Sequence, residues 1–226
     1  MAQAGAETGG LANASGEASS ARRGRLFVIS APSGAGKTSL VKELLARNPA
    51  LAVSISHTTR PARPHELEGR EYYFVSIPQF EARVARGAFL EHARVFDNYY
   101  GTSRETVERR LAAGTDVVLE IDWQGARQVR TALPESVTIF VLPPSRRALE
   151  ERLTQRRTDS ADVIARRLRD AVGDMEHFRE FDYVVVNDRF EQAVEELESI
   201  LAGRGAALRR DRASLRPLTA ELLGTS

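Results

Sequence analysis

Short apolar runs alternate with segments of helical period from residue 25 onward. The runs are rich in β-branched and large side chains, which is typical of buried strands in a parallel sheet. They cover residues 26–31, 51–55, 116–121, Val137–Leu142 and Tyr183–Val186. Segments of helical character lie between them at Lys37–Arg47, 123–131, 145–155, 162–179 and 190–202. This alternation predicts a three-layer α/β fold with a largely parallel sheet.

One stretch, residues 56–102, does not follow this alternation. It contains three prolines and two tyrosine pairs, a strand-like run at 72–76, a helical segment at 79–86 and a second strand-like run at Phe89–Val95. Such a segment fits poorly as a single crossover between parallel strands. We therefore predict a small inserted subdomain of mixed strands, with bounds at 54–103.

Three further segments stand outside the regular pattern. Residues 1–23 are rich in Ala, Gly, Ser and Glu, and we expect them to be a disordered tail. Residues 152–167 interrupt two helical patterns and predict a mobile flap. Residues 205–226 carry four arginines, and the sequence leaves open whether they form a helix packed on the domain or a loose tail.

Composition narrows the choice of ligand. The 226 residues contain no cysteine, which excludes disulfides and thiolate metal sites. Lysine plus arginine number 32 against 31 acidic residues, so charge gives no argument for a nucleic acid or a membrane as partner. Neither a signal-peptide core nor 18 uninterrupted apolar residues occur. We expect a cytoplasmic protein that binds small molecules, and we predict no protein partner.

A phosphate-binding loop is predicted at Ala31-Pro-Ser-Gly-Ala-Gly-Lys-Thr38, between an apolar strand and an amphipathic helix. Alanine stands where the pattern has its first glycine. At this position the strand is only just leaving the sheet, so we expect the alanine methyl group to clash with nothing. Gly34 and Gly36 supply the crowded positions. Lys37 is expected to reach the β and γ phosphates, and the Thr38 hydroxyl to bind Mg²⁺. The alternative is a glycine-rich turn without a ligand.

Two arginines in Ser56-His-Thr-Thr-Arg60-Pro-Ala-Arg63-Pro64 lie three residues apart on a proline-stiffened segment. Guanidinium groups bind phosphate in bidentate fashion, and two of them suit a dianion. Two solvated arginines in a loop are the plainer alternative.

Six motifs follow one another within residues 25–201. They read A-P-S-G-A-G-K-T, S-H-T-T-R-P-A-R, E-G-R-E-Y-Y-F, F-L-E-H-A, N-Y-Y-G-T and E-I-D-W-Q-G. In this order they resemble the motifs of guanylate kinases. The resemblance implies a five-stranded parallel core within residues 24–204, made of 24–53, 104–151 and 168–204. It also implies a GMP-binding subdomain (54–103), a lid (152–167), and phosphorylation of GMP, and of dGMP, by ATP.

The resemblance also assigns site residues. It implies that ATP is bound by Ala31, Pro32, Ser33, Gly34, Ala35, Gly36, Lys37 and Thr38. It implies that the phosphate of GMP meets Arg60, Arg63, Tyr72 and Tyr100, and that guanine faces Ser56, Glu91, Thr102 and Asp122. The lid arginines Arg152, Arg156 and Arg167 are then expected to act with Lys37 on the transferred phosphoryl group.

Glu91 is the residue that we expect to select guanine. Guanine presents N1–H and an amine on one edge, so one carboxylate accepts both hydrogens. Adenine would leave the carboxylate unpaired, and sites built for hydrogen bonding discriminate by about 10⁴ in such cases. A surface glutamate at the end of a strand is the competing interpretation.

Two positions depart from the family pattern. His65 follows the arginine segment where many relatives have glycine, so the turn there must be built without it. Glu120 stands where relatives often have aspartate, and its longer side chain is expected to reach the metal through water. The four histidines, His57, His65, His92 and His177, have neither metal-ligand nor nucleophile-base spacing.

Two rival functions remain at this point. Guanylate-kinase-like domains also occur as noncatalytic binding modules, which typically lose the phosphate loop and lid arginines that this chain keeps. Another nucleoside monophosphate kinase is the second rival, and Glu91 with the S-H-T-T-R segment argues against it.

Overall fold

The structure, a computed structural model, describes residues 22–95, 97–155 and 161–224. The strands in chain order are β1 (Leu26–Ser30), β2 (Ala52–Val53), β3 (His57–Thr58), β4 (Tyr73–Phe74), β5 (Phe89–Val95), β6 (Asn98–Ser103), β7 (Val117–Glu120), β8 (Val137–Leu142) and β9 (Tyr183–Val186). The α-helices are α1 (Lys37–Arg47), α2 (Ile77–Ala85), α3 (Arg104–Ala112), α4 (Trp123–Ala132), α5 (Arg146–Gln155), α6 (Ala161–Glu176), α7 (Phe190–Leu201) and α8 (Arg216–Leu223).

The central sheet has five strands in the order β2-β7-β1-β8-β9, all parallel. Its side chains alternate between two cores: Leu26 and Val28 face one, while Phe27 and Ile29 face the other. The first core is covered by α3, α4, α5, α6 and α8, and the second by α1 and α7. The predicted three-layer α/β fold with a five-stranded parallel sheet is confirmed.

A second sheet, in the order β4-β3-β6-β5, lies within the inserted stretch. It mixes a parallel pair, β3 with β4, and two antiparallel pairs, β3 with β6 and β6 with β5. The sequence predicts a strand at 72–76 and a helix at 79–86, whereas the structure has a two-residue β4 and an α2 that begins at Ile77. Ser76 caps α2 in a reciprocal capping box with Gln79, which explains the earlier start.

The segment after residue 204 packs on the domain. Two short 3-10 turns, Ala206–Leu208 and Ala213–Leu215, lead into α8, and Leu215 and Leu222 are buried in the first core. Arg212 donates to the Val184 carbonyl of the edge strand β9 at 2.7 Å. Of the two alternatives left open by the sequence, the structure has the packed helix.

Some expectations fall outside the described residues. They include the predicted disordered tail, except for residues 22 and 23, and the middle of the predicted flap, 156–160, with Arg156. Within the described residues, no helix combines the length and the apolarity needed to cross a membrane.

Candidate active site

The phosphate loop joins β1 to α1 at the carboxyl edge of the central sheet, where α/β folds bind ligands. Gly34 and Gly36 have φ of 88° and 92°, the left-handed region that glycine adopts without strain. Gly36 occupies the N-cap of α1 without a side-chain hydrogen bond, and the first turn of α1 holds no acidic residue. The first-turn amides of α1 and its positive dipole end are therefore available to an anion.

Ala31, the residue that replaces the first glycine, is half-buried and packs against the second core. Its methyl group faces protein, so this position does not crowd the amides of the loop.

Lys37 and Thr38 both meet the end of β7. The Lys37 ammonium donates to the Ile121 carbonyl at 2.8 Å, and the Thr38 hydroxyl donates to the Glu120 carboxylate. The loop and the end of β7 therefore bring the Lys37 ammonium, the Thr38 hydroxyl and the Glu120 carboxylate close together. Among the described residues, no group of three or more His, Asp or Glu side chains could hold a metal ion.

A cavity of about 190 Å³ lies between the loop and the second sheet. Seven of the predicted site residues line it: Lys37, Ser56, Tyr72, Glu91, Tyr100, Glu120 and Asp122.

Apart from Lys37, the predicted site residues that line this cavity lie 19 to 85 positions further along the chain, so the fold rather than local sequence brings them together. Glu91, one of the residues that line the cavity, is only 3% exposed. The Thr102 hydroxyl donates to one Glu91 oxygen at 2.6 Å, and Ser56 Oγ lies 3.4 Å from Thr102 Oγ1. Glu91 is a buried polar anchor and not a surface glutamate at the end of a strand.

The ionisation of Glu91 is perturbed by this environment. Burial raises the pKa of Glu91 to about 7; the nearby Asp122 carboxyl adds to the rise, and the Thr102 hydrogen bond opposes it. Burial also raises the pKa of Asp122, against the hydrogen bond from the Gly125 amide. Two carboxyl groups with raised pKa values that line one cavity are a feature of functional sites.

Gly125 explains part of the E-I-D-W-Q-G motif. A β-carbon at this position would collide with the second Glu91 oxygen. The Gly125 amide also donates to Asp122 Oδ1 at 2.8 Å, which caps α4. The glycine therefore lets the cap of α4 and the buried carboxylate lie against each other.

The two predicted phosphate-binding arginines differ in their surroundings. The Arg60 side chain is 15% exposed, lies over the Tyr72 ring at 5.4 Å and donates to both Glu66 oxygens at 2.8 Å. The Arg63 side chain is 63% exposed, and its guanidinium lies 3.9 Å from Glu66. Tyr72 and Tyr100 meet edge to face with ring centroids 5.8 Å apart, and burial raises the pKa of Tyr72 to about 12.

Glu66 is a residue that the sequence analysis did not assign to the site. It accepts from Arg60 and from the Arg63 amide, and although burial alone would raise its pKa, these bonds lower the pKa below the ordinary value. A glutamate three residues after Arg63 was visible in the sequence, but no motif argument gave it a partner.

The lid arginines are only partly gathered. Arg152 on α5 donates to the Asn187 carbonyl at 2.8 Å, and its Nη1 is buried without a hydrogen-bond partner among the described residues. Arg167 lies on α6, which packs against α5. Neither arginine lines the cavity that holds Glu91, and Arg63 does not line it either.

Comparison with known proteins gives the chain its family. A sequence model of guanylate kinases matches residues 23–204. A guanylate kinase of Methylococcus capsulatus is 56% identical over 202 residues, which cover 89% of this chain and 99% of that protein. One of Hydrogenovibrio crunogenus is 57% identical over 188 residues, with 83% and 92% coverage.

Solved structures give the same result. The crystal structure of guanylate kinase from Anaplasma phagocytophilum superimposes with a TM-score of 0.67 at 32% sequence identity, covering 88% of this chain and 95% of that one. The family match spans both sheets, the phosphate loop and α5 to α7. The chain therefore belongs to the guanylate kinase family.

Proposed function

We propose that this chain transfers the terminal phosphoryl group of ATP to GMP, and also to dGMP, giving ADP and the guanosine diphosphate. The observation that carries this proposal is the buried Glu91 carboxyl group in one cavity with Lys37 of the phosphate loop. A group suited to a guanine base and a group suited to a phosphate thus face a common space. The names of the relatives support the same activity.

Guanine recognition follows from hydrogen-bond chemistry. Ionised Glu91 accepts the N1–H and the exocyclic amine of guanine through its two oxygens, while Ser56, Thr102 and Asp122 complete the polar end of the site. Adenine carries an acceptor at N1 and no amine at C2, so it would leave a buried carboxylate unpaired. That penalty corresponds to a kcat/KM about 10⁴-fold lower for AMP than for GMP.

The phosphate of GMP is proposed to lie against Arg60, Arg63, Tyr72 and Tyr100. Arg60 is held by Glu66 and by the Tyr72 ring, so little side-chain freedom is lost when it binds an anion. Arg63 is exposed and is proposed to fold over the phosphate. These contacts leave the ribose 2′-hydroxyl without a role, which is why dGMP is expected to be accepted.

ATP is proposed to bind along Ala31 to Thr38, with its phosphates on the loop amides and Lys37. The oxygens of Thr38 and Glu120 lie together beside the loop and suit Mg²⁺, which prefers oxygen ligands and keeps several of its waters. Bound Mg²⁺ would neutralise charge on the β and γ phosphates. Thr38 would bind the metal directly and Glu120 through one of its waters, with phosphate and water as the other ligands.

The reaction needs positioning and charge neutralisation rather than a general base, because the phosphate of GMP is already ionised near neutral pH. Lys37, Arg152, Arg156 and Arg167 are proposed to offset the charge that spreads onto the transferred group. The buried, unpartnered Nη1 of Arg152 is a donor that such an anion would satisfy. By analogy with arginine fingers, one such arginine contributes a factor of about 10³ in rate.

A coupled assay of ADP release tests the proposal. ATP and Mg²⁺ are supplied with GMP, dGMP, AMP, CMP or UMP in turn. We expect turnover with GMP and dGMP and at least about 10³-fold lower kcat/KM with the other three. Equal turnover of GMP and AMP would contradict the guanine assignment, and no turnover with any acceptor would contradict the kinase activity itself.

A further inference from the structure

Asn187, directly after β9, joins three parts of the donor side of the site. Its Nδ2–H donates to the Ala35 carbonyl in the phosphate loop at 2.8 Å, and its backbone carbonyl accepts from Arg152 at 2.8 Å. The backbone N–H of Asn187 donates to the Leu142 carbonyl at the end of β8 at 2.9 Å. The side chain is buried, with Asn187 only 5% exposed. One residue therefore links the loop, α5 and the central sheet.

Packing reinforces these bonds at both left-handed glycines of the loop. A β-carbon on Gly36 would collide with Nδ2 of Asn187, so the side-chain amide of Asn187 lies directly against the loop backbone. A β-carbon on Gly34 would lie 2.9 Å from Leu153 and 3.0 Å from Leu149, both on α5. The loop is thus held by α5 at one glycine and by Asn187 at the other.

Arg152 completes the arrangement. Its Nη2 donates to the Asn187 carbonyl, and its Nη1 is buried without a hydrogen-bond partner among the described residues. A buried cationic donor left unpaired is costly, and an anionic ligand removes that cost. Its position relative to the loop is set through Asn187, since the same residue bonds to both.

We propose that Asn187 is a positioning residue for phosphoryl transfer, which holds the phosphate loop and Arg152 at a fixed separation. This inference rests on the proposed function, because the separation matters only if a phosphoryl group is transferred at the loop. It assigns to Asn187 no contact with the reacting atoms. Its effect is exerted through the Ala35 carbonyl and the Arg152 guanidinium.

The test compares Asn187→Ala and the isosteric Asn187→Asp with the wild-type chain. Kinetic constants for ATP and GMP are measured together with the midpoint of thermal unfolding. We expect Asn187→Ala to lower kcat/KM for ATP about tenfold or more, the cost of one buried hydrogen bond, with KM for GMP nearly unchanged. Asn187→Asp keeps the shape but cannot donate to the Ala35 carbonyl, so we expect a larger loss.

Thr138→Val provides a matched control. Thr138 is buried and hydrogen-bonded to Asp182 at 2.8 Å, near the start of β8 and away from the loop. We expect it to lower the unfolding midpoint without changing kcat. If both Asn187 variants lower the midpoint but keep wild-type kinetics, Asn187 is only structural and the inference is wrong. If Asn187→Ala does not fold, Asn187→Asp decides the question.

A double-mutant cycle separates action through Arg152 from an independent effect. Arg152→Ala, Asn187→Ala and the double variant are compared in kcat. We expect the double variant to lose at least about threefold less than the product of the single losses, because coupled residues are not additive. Multiplicative losses would overturn the inference and leave the proposed function standing. Absence of GMP phosphorylation by the wild-type chain would instead overturn the proposed function.

Discussion

The Glu91 carboxyl group shows how one residue can link specificity to proton binding. It is the third residue of β5 and lies beside the Thr102 hydroxyl and near the Asp122 carboxyl. Burial favours its neutral form. The two guanine hydrogens that we propose it accepts would favour its anion, because only that base would pair with both of its oxygens.

The cost of this ionisation is measurable in the free protein. The pKa of Glu91 is about 7 in the folded chain and 4.5 as the reference value, so the folded state loses stability relative to the unfolded state as pH rises through that window. Glu91→Gln cannot ionise. We expect its unfolding free energy, relative to the wild type, to rise by about 3 kcal/mol between pH 4.5 and pH 8.

Urea unfolding at a series of pH values checks this expectation. Glu81→Gln, an exposed change on α2, controls for the loss of a negative charge. A difference between Glu91→Gln and the wild type that stays constant from pH 4.5 to pH 8 would contradict the buried, proton-binding role of Glu91.

Glu66 and Glu71 form a matched pair for testing how Arg60 is held. Both glutamates lie in the inserted subdomain and pair with an arginine, but the Glu66 side chain is 13% exposed and bonds to Arg60, whereas Glu71 bonds to the exposed Arg70. We expect Glu66→Gln to raise KM for GMP about tenfold, because a charged hydrogen bond that orients Arg60 is lost. Glu71→Gln should change it less than about twofold.

Steady-state kinetics with varied GMP measure both effects. A fall in KM in Glu66→Gln would mean that Glu66 competes with the phosphate for Arg60, and would contradict the orienting role.

At the scale of elements, long periodic segments were predicted well and short ones were not. Four of the five core strands, β1, β7, β8 and β9, are mostly buried runs, whereas β2 has only two half-buried residues. The helices α1 and α7 begin at the predicted residues. α3 was missed because only Val107 and Leu111 are buried on it, too few for a periodic signal. β3 and β4 have two residues each, and their pairing depends on partners distant in sequence.

α8 gives a prediction at this scale. Leu222 is 1% exposed in the first core, and α8 packs against α6. We expect Leu222→Ala to lower the unfolding free energy by about 2–4 kcal/mol through the cavity it leaves. Leu223→Ala, at the half-buried neighbouring position, should lower the unfolding free energy clearly less. Urea unfolding measures both, and equal, negligible effects would mean that α8 does not stabilise the domain.

At the scale of the whole molecule, the site lies where the central sheet and the sheet of the inserted stretch meet. The central sheet supplies the phosphate loop and Glu120, and the inserted sheet supplies Glu91, Tyr100 and Thr102. Motif order was enough to predict most of the residues that line the cavity. It gave no sign of Asn187 or of the Arg60–Glu66 pair, because these depend on which hydrogen bonds compete once the chain is folded.

The proposed phosphoryl transfer requires both substrates to be enclosed. Water near the transferred group would hydrolyse ATP, so the inserted subdomain and the predicted flap are expected to close over the nucleotides. We propose that acceptor and donor face each other across the cavity that Glu91 and Lys37 line.

The most direct test of this account is a crystal structure with GMP, Mg²⁺ and a non-hydrolysable ATP analogue. We predict guanine N1 and its exocyclic amine on the Glu91 carboxylate, and an acceptor phosphate oxygen about 3–3.5 Å from the γ phosphorus above the loop. GMP bound elsewhere, with the Glu91 carboxylate still bonded only to Thr102 and no phosphate near Arg60, would contradict it.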